Sequence, residues 1–364
     1  MNMNTNANGN QTNSPGNSSE ATQSWLGAMT GYHWIVLILC SLGWALDCFN
    51  QQLFAVNRAP AVAELMNLAE GAPQVGYYSG WATALMLIGW ATGGIFFGIW
   101  ADKYGRVRIM IISLFFFTVF TGLTGNVHSL WLFLLYRFLS GLGAGGQFAV
   151  CATLIAETLS NRTRPIASGI MQAAAAAANI CAALSMFAIV WLISSGTLTQ
   201  SPWRYAFLLG YIPLVLAVFN WGWLKEPEAW VKAKQEEKSS GRKTGSILEL
   251  FGDRTMRYRV IMGMLLATIG IIGYWGIMMF AVDLNRSIFR ASALAEVGVD
   301  TQKVSPAEIP ALIAKQPVEK QEFIRKRVER MGALTSIMIN VGSFFGMYLF
   351  AVVTDIFGRR WTFT

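Results

Sequence analysis

Two charged residues lie where charge is expensive. Asp47 sits in "GWALDCFNQQLF" and Arg137 in "LLYRFLSG", each inside an apolar run long enough to cross a membrane. Ionised side chains in such runs are costly, so each is a functional candidate. Three chemistries fit the two. Asp47 can exchange a proton with the outside while Arg137, an opposite charge, tunes it. Arg137 can receive a substrate carboxylate through two parallel hydrogen bonds. Or the two form a static ion pair that only holds helices together. Asn50, Gln51 and Gln52 follow Asp47 on the next turn, and uncharged amides suit the hydroxyl or amide groups of a polar solute. Gln147 and Tyr274 are weaker candidates, with Trp44, Gln172, Asn179, Trp275 and Asn340. Packing and helix–helix hydrogen bonds account for residues of these types as well.

The elements that would position them read as membrane spans. Of 364 residues, 54% are hydrophobic and 13% charged, against about 25% charged in soluble domains. Eight apolar runs stand out, at 32–56, 76–101, 108–127, 129–156, 165–193, 203–224, 259–281 and 331–354. A bilayer admits only helices and closed barrels, and runs without strict alternation are helices. Asp47 and Arg137 then lie at similar depths in the first and fourth spans. Ala173 to Ala178, all alanine, favours close packing of the fifth.

Lys and Arg cluster after the even-numbered spans, with nine between Lys225 and Arg259. The positive-inside rule therefore puts these loops and the N-terminus in the cytoplasm. The net charge of +8 is thus explained by topology, and nucleic acid is not an expected partner. Residues 283–330 disagree, with nine basic and seven acidic residues on the outer side. Long loops translocate regardless of charge. The end of this one, "PVEKQEFIRKRVERM", reads as an amphipathic helix that lies on headgroups or caps a pore, or equally as a plain solvated helix. Residues 1–31, rich in Asn, Ser, Gly and Thr, read as a disordered cytoplasmic tail, and 225–258 as a flexible linker between 32–224 and 259–364. Cys40, Cys48, Cys151 and Cys181 match no metal-ligand spacing and read as small hydrophobes. No nucleotide-binding motif or catalytic constellation is visible, so neither a cofactor nor an enzyme is expected.

A charged knot occurs twice. "GIWADKYGRVRIM" begins at Gly98, and "FAVVTDIFGRRWT" begins at Phe350. Asp102 and Asp355 correspond, as do the residues around Gly105, Arg106 and Arg108 and those at Gly358, Arg359 and Arg360. Each copy follows an even-numbered span, which implies two parallel six-helix halves. Gly98 would admit a neighbouring helix closely, and Gly105 would permit a tight turn. Asp102 is placed to meet the positive end of a facing helix, and Arg106 and Arg108 to hold carboxylates across the gap between halves.

The first knot resembles the signature loop of the major facilitator superfamily. "RFLSGLGAGG", from Arg137, resembles its fourth-helix motif, and "KEPEAW", from Lys225, the segment after the sixth helix in sugar and metabolite porters. "DCFNQQLFAVNRAPAV" is similar to the sialate and metabolite proton-symporter branch, where a D-x-x-D motif has its second acid at the position of Asn50. The resemblance implies an all-α membrane protein of twelve helices working by alternating access in the inner membrane, expected to be monomeric. The first and fourth helices would line the central cavity, so Asp47 and Arg137 could pair across it. The knots would act as gating latches, the first against an eleventh helix and the second against the fifth. The chain supplies eight spans and is expected to be truncated after them. The glycine-and-proline signature of drug antiporters is missing from the fifth span. Proton-coupled symport of a small organic anion or sugar acid is therefore expected, with a neutral-sugar facilitator or a non-transporting fragment as alternatives.

The orientation has a direct check. Single cysteines at Ala72 and Ser129 should react with an impermeant thiol reagent in intact cells, and one at Ser239 should not. Labelling at Ser239 would reverse the topology.

Overall fold

A computed structural model describes residues 29–69, 72–160, 163–199, 201–215, 222–240, 251–301, 304–305 and 308–357. The described elements are helical. Helices α1 (Gly31–Met66), α2 (Pro73–Tyr104), α3 (Arg106–Thr124), α4 (Leu130–Thr158) and α5 (Arg164–Ser194) are long and apolar enough to cross a membrane. The short α6 (Pro202–Leu208) and a following 3₁₀ turn cover the start of the expected sixth span, part of which lies outside the described residues. Next come α7 (Glu228–Ser240), α8 (Arg254–Glu296), α9 (Ile309–Ala314) and α10 (Val318–Phe357).

Local chemistry sets the ends. The Thr30 hydroxyl accepts from the His33 N–H at 3.4 Å, and His33 Nδ1 accepts from the Thr30 N–H, a reciprocal cap at the start of α1. Asn67, in the left-handed region at φ 53°, closes its other end. The helix runs past the expected end at residue 56 and through Pro60. It can do so because its polar side chains find partners: Asn57 donates to the Leu53 carbonyl at 2.8 Å and Arg58 to the Thr83 hydroxyl at 3.0 Å.

The tightest packing is between α2 and α4. Gly89 and Gly93 on α2 face the backbone of Phe138 and Leu142, while Gly141 and Gly145 on α4 face Met86 and Trp90. Glycines four apart on both helices let the two backbones touch. Helix α1 packs on α4 and α5, with Phe49 and Leu53 against Ala178 and Ala182, so the end of the alanine run does serve close packing. Gly98, expected to admit a close neighbour, has no atom within 4 Å of where a Cβ would sit, because the face of α2 turned to α4 is that of Gly89 and Gly93.

The second part differs from expectation in helix length. Helix α8 has 43 residues and α10 has 40, rather than the spans 259–281 and 331–354. At 1.5 Å per residue they measure roughly 64 and 60 Å, about twice the hydrocarbon thickness. The segment "PVEKQEFIRKRVERM" is therefore one continuous helix with the eighth span and not a separate helix on the headgroups. It can continue because the ends of α8 and α10 and the short α9 share a small core of Ala293, Leu294, Ile309, Ile324 and Val328. The expected linker 225–258 is likewise partly helical, since "EAWVKAKQEEKSS" is rich in good helix formers. Helix α10 packs on α5, where Asn179 Nδ2 donates to Asn340 Oδ1 at 2.7 Å.

The glycine contacts predict an asymmetry. Gly93→Ala forces a methyl into the Leu142 carbonyl and should cost about 1–3 kcal/mol by overpacking. Gly98→Ala should be neutral, or stabilising by about 1 kcal/mol through helix propensity. Thermal unfolding in detergent separates the two; equal behaviour would mean that α2 and α4 do not touch.

Candidate functional site

Asp47 and Arg137 line one cavity inside the bundle of α1–α4. Asn50 and Gln51 join them from α1, Met86 and Trp90 from α2, Phe117 and Thr121 from α3, and Ser140, Gly141 and Ala144 from α4. Its empty space is about 310 Å³ with the open mouth included. Asp47 is 0% exposed and Asn50 3%. Neither oxygen of the Asp47 carboxylate and neither polar atom of the Asn50 amide has a partner within hydrogen-bond geometry. The Gln51 side chain, one turn on along α1, lies close enough to the Asp47 carboxylate to offset part of the cost of its burial, although outside strict hydrogen-bond geometry. Thr121 and Ser140 share a hydrogen bond of 2.7 Å.

The expected Asp47–Arg137 ion pair is not formed. Arg137 has other partners: Nη2 donates to the Thr124 hydroxyl at 2.5 Å, and the guanidinium lies 4.8, 5.4 and 6.0 Å from the ring centres of Phe207, Phe54 and Phe133. Three aromatic faces and one hydroxyl stand in for a counter-ion. The cation is thereby held to the aromatic side of the cavity, and the carboxylate is left without its charge partner.

The other sequence candidates separate. Gln147 is 0% exposed and lies outside this cavity, bonded to Cys151 Sγ at 3.3 Å and approached by the Ser113 hydroxyl at 3.4 Å. Trp44, one turn before Asp47, stacks with Trp90 and meets Phe148 at 4.7 Å. The side chain of Tyr274 falls outside the described residues. Of the cysteines, Cys40 and Cys151 are buried, whereas Cys181 is exposed on α5.

At the Gly105 end the knot is tied within the first six expected spans. Gly105 has φ 117°, a conformation that only glycine adopts readily, so the turn joins α2 to α3 in one residue. Arg106 binds Glu157 of α4 through two bonds, Nη2–Oε1 at 2.7 Å and Nε–Oε2 at 3.1 Å, and it also pairs with Asp102. The expectation that it bridges to the other half is thus corrected: its carboxylates belong to α2 and α4. The positive end of α3 is met by Glu226, which accepts from the N–H groups of Arg106 at 2.6 Å, Val107 at 3.2 Å and Arg108 at 3.3 Å. The Arg108 side chain is exposed. Trp230 Nε1 donates to the Asp102 carbonyl at 2.9 Å, so "KEPEAW" is bound to the knot by two residues. In the second copy, the Asp355 side chain, Gly358, Arg359 and Arg360 lie outside the described residues.

At the opposite end Arg204 of α6 gathers three segments. It bonds Glu64 of α1 through Nε and Nη2 at 3.1 and 3.0 Å, and donates from Nη1 to the Gly125 and Val127 carbonyls. Trp203 Nε1 and the Ser201 hydroxyl also donate to Glu64. Glu64, Glu157 and Glu226 were not legible as site residues. Their arginine and backbone partners lie 51 to 140 residues away in sequence, beyond the reach of local spacing.

The family model described as Major Facilitator Superfamily matches residues 41–299. A protein of Cupriavidus pinatubonensis named "Probable 4-methylmuconolactone transporter" is 33% identical over 54% of this chain and 43% of its own length. The cis,cis-muconate transport protein of Acinetobacter baylyi is 32% identical over 55% and 47%. The sialic acid transporter NanX of Escherichia coli is 32% identical over 41% and 35%. This chain thus spans less than half the length of each. The structure of the xylose transporter XylE from E. coli, in a partially occluded inward-open conformation, aligns with a TM-score of 0.55 at 17% identity, covering 90% of this chain and 74% of that one. With a family model over more than half of its length and that all-helical fold, the chain belongs to the major facilitator superfamily.

Proposed function

We propose that the protein is a proton-coupled symporter of a small organic anion, working by alternating access, with Asp47 as the proton-carrying group. One observation carries this reading. A carboxylate is buried at the centre of an apolar bundle without an ion pair, beside a second unpartnered polar side chain. Such a group persists when it binds and releases a cation during the working cycle. A purely structural ion pair would have placed Arg137 against it. The names of the relatives, transporters of muconate and sialic acid among them, support an organic anion as the solute.

Arg137 then acts on Asp47 through its charge. Its guanidinium faces three rings and bonds Thr124 through Nη2, while its buried Nε has no partner, so a substrate carboxylate remains a second possible ligand for it. The solute would bind between the two halves, next to the Trp44–Trp90–Phe148 cluster that adjoins the cavity. In this reading the Gly105 end is cytoplasmic. Gly98, Asp102, Gly105, Arg106 and Arg108 form one gating element and Asp355, Gly358, Arg359 and Arg360 its counterpart. The bonds from Glu157 and Glu226 make the first element stiff enough to move with its half as a unit.

Uptake decides the matter. Membrane vesicles from cells expressing the reading frame that contains this chain should concentrate labelled dicarboxylic or sugar acids when the outside is acidified. A protonophore should reduce the internal level to the external one. Concentrative uptake that survives the protonophore would remove proton coupling, and uptake of neutral sugars alone would remove the anion.

A further inference from the structure

We infer that the solute is a small, flat, conjugated carboxylate, held with its face against Trp90 and its carboxylate at Arg137. The inference rests on reading the Asp47 cavity as the transport site and names the class of anion that it accepts. The wall of that cavity is mostly apolar, with Met86, Trp90 and Phe117 among its residues. Trp90 is braced by two rings outside the wall. Trp44 lies nearly parallel to it, with ring centres 6.5 Å apart and 17° between the planes, and Phe148 meets it edge-on at 6.4 Å. Phe148 is also 4.7 Å from Trp44, so the three rings hold one another in place. An indole kept in one orientation is a platform for a second π-system, and such stacking adds to the gain from burial alone.

Polar groups on this wall are few. The Nε of Arg137 is buried and has no partner, nor has the Asn50 amide, and both residues line the cavity. Those donors suit one carboxylate. Thr121 and Ser140 are bonded to each other, and Gln51 lies towards Asp47. A sugar acid brings several hydroxyls, and each one buried without a partner is costly. The space, about 310 Å³ with its open mouth, is at the small end of the roughly 300–1,000 Å³ usual for small-molecule sites. The charge of the solute also serves coupling. Two ionised carboxylates in one small cavity repel each other, so the anion enters most readily when Asp47 carries its proton. Arg137 then balances the charge of the solute.

The test is binding to the purified protein in detergent. Equilibrium dialysis with labelled benzoate is run against cyclohexanecarboxylate and glucuronate as competitors. The three acids carry the same charge; the second lacks the flat ring, and the third adds hydroxyls. Benzoate should bind saturably. Cyclohexanecarboxylate should bind about tenfold more weakly, the ratio expected for one lost stacking contact, and glucuronate should not displace benzoate. Trp90→Leu should bring benzoate down to the level of cyclohexanecarboxylate, while Trp90→Phe should keep the preference. If Trp90→Leu does not fold, the competitor series on the unaltered protein decides. Equal affinity for the two ring acids, tighter binding of glucuronate, or no saturable binding of any of the three would overturn the inference. So would an undiminished preference in Trp90→Leu. Each of these results leaves anion symport to stand or fall by the uptake assay.

Discussion

A buried carboxylate without a counter-ion is the constraint around which this protein is organised. Desolvating an ionised Asp47 costs several kcal/mol unless something compensates it. The chain does not compensate it with Arg137, which is occupied by aromatic rings and a hydroxyl. It leaves Asp47 facing a small, largely apolar cavity instead. Stability alone would favour an apolar residue at this position. That energetic cost is the reason for proposing a function in which Asp47 takes up and releases a cation.

Such a site works only if its walls hold still. The α2–α4 contact is backbone against backbone, and its glycines leave no side chain that could change rotamer. Two arginine networks fasten the ends of the bundle. Arg106 ties α3 to α2 and α4, and Glu226 joins the segment after α6 to the same turn. Arg204 joins α1, the α3–α4 turn and α6 at the far end. Each network pairs a partly buried charge with several partners, so removing one member strands the others. Motion is then expected between bundles rather than within this one, and the Asn179–Asn340 bond marks a place where α10 meets it.

Much of this was legible in the sequence, and the gaps have physical causes. Apolar runs announced the spans because a bilayer demands about twenty apolar residues per helix. Asp47 and Arg137 were legible because charge in such a run is rare. Their orientation was not, since the rings that capture Arg137 come from residues 54, 133 and 207 on three elements. Hydropathy also reports solvent and not helicity, so the charged continuations of α8 and α10 read as loop while their backbones remain helical. Gly105 was readable from its turn, but Gly98 was not, because the sequence does not say which face of α2 meets α4.

The most direct test of the central claim compares exchange with accumulation for Asp47→Asn in the complete reading frame. The neutral side chain mimics a permanently protonated site. Labelled solute should still exchange across the membrane against unlabelled solute, while accumulation driven by a proton gradient should vanish. The double replacement Asp47→Asn with Arg137→Gln should not restore accumulation. Wild-type accumulation by Asp47→Asn, or its recovery in the double replacement, would contradict the account and make Asp47 a structural residue.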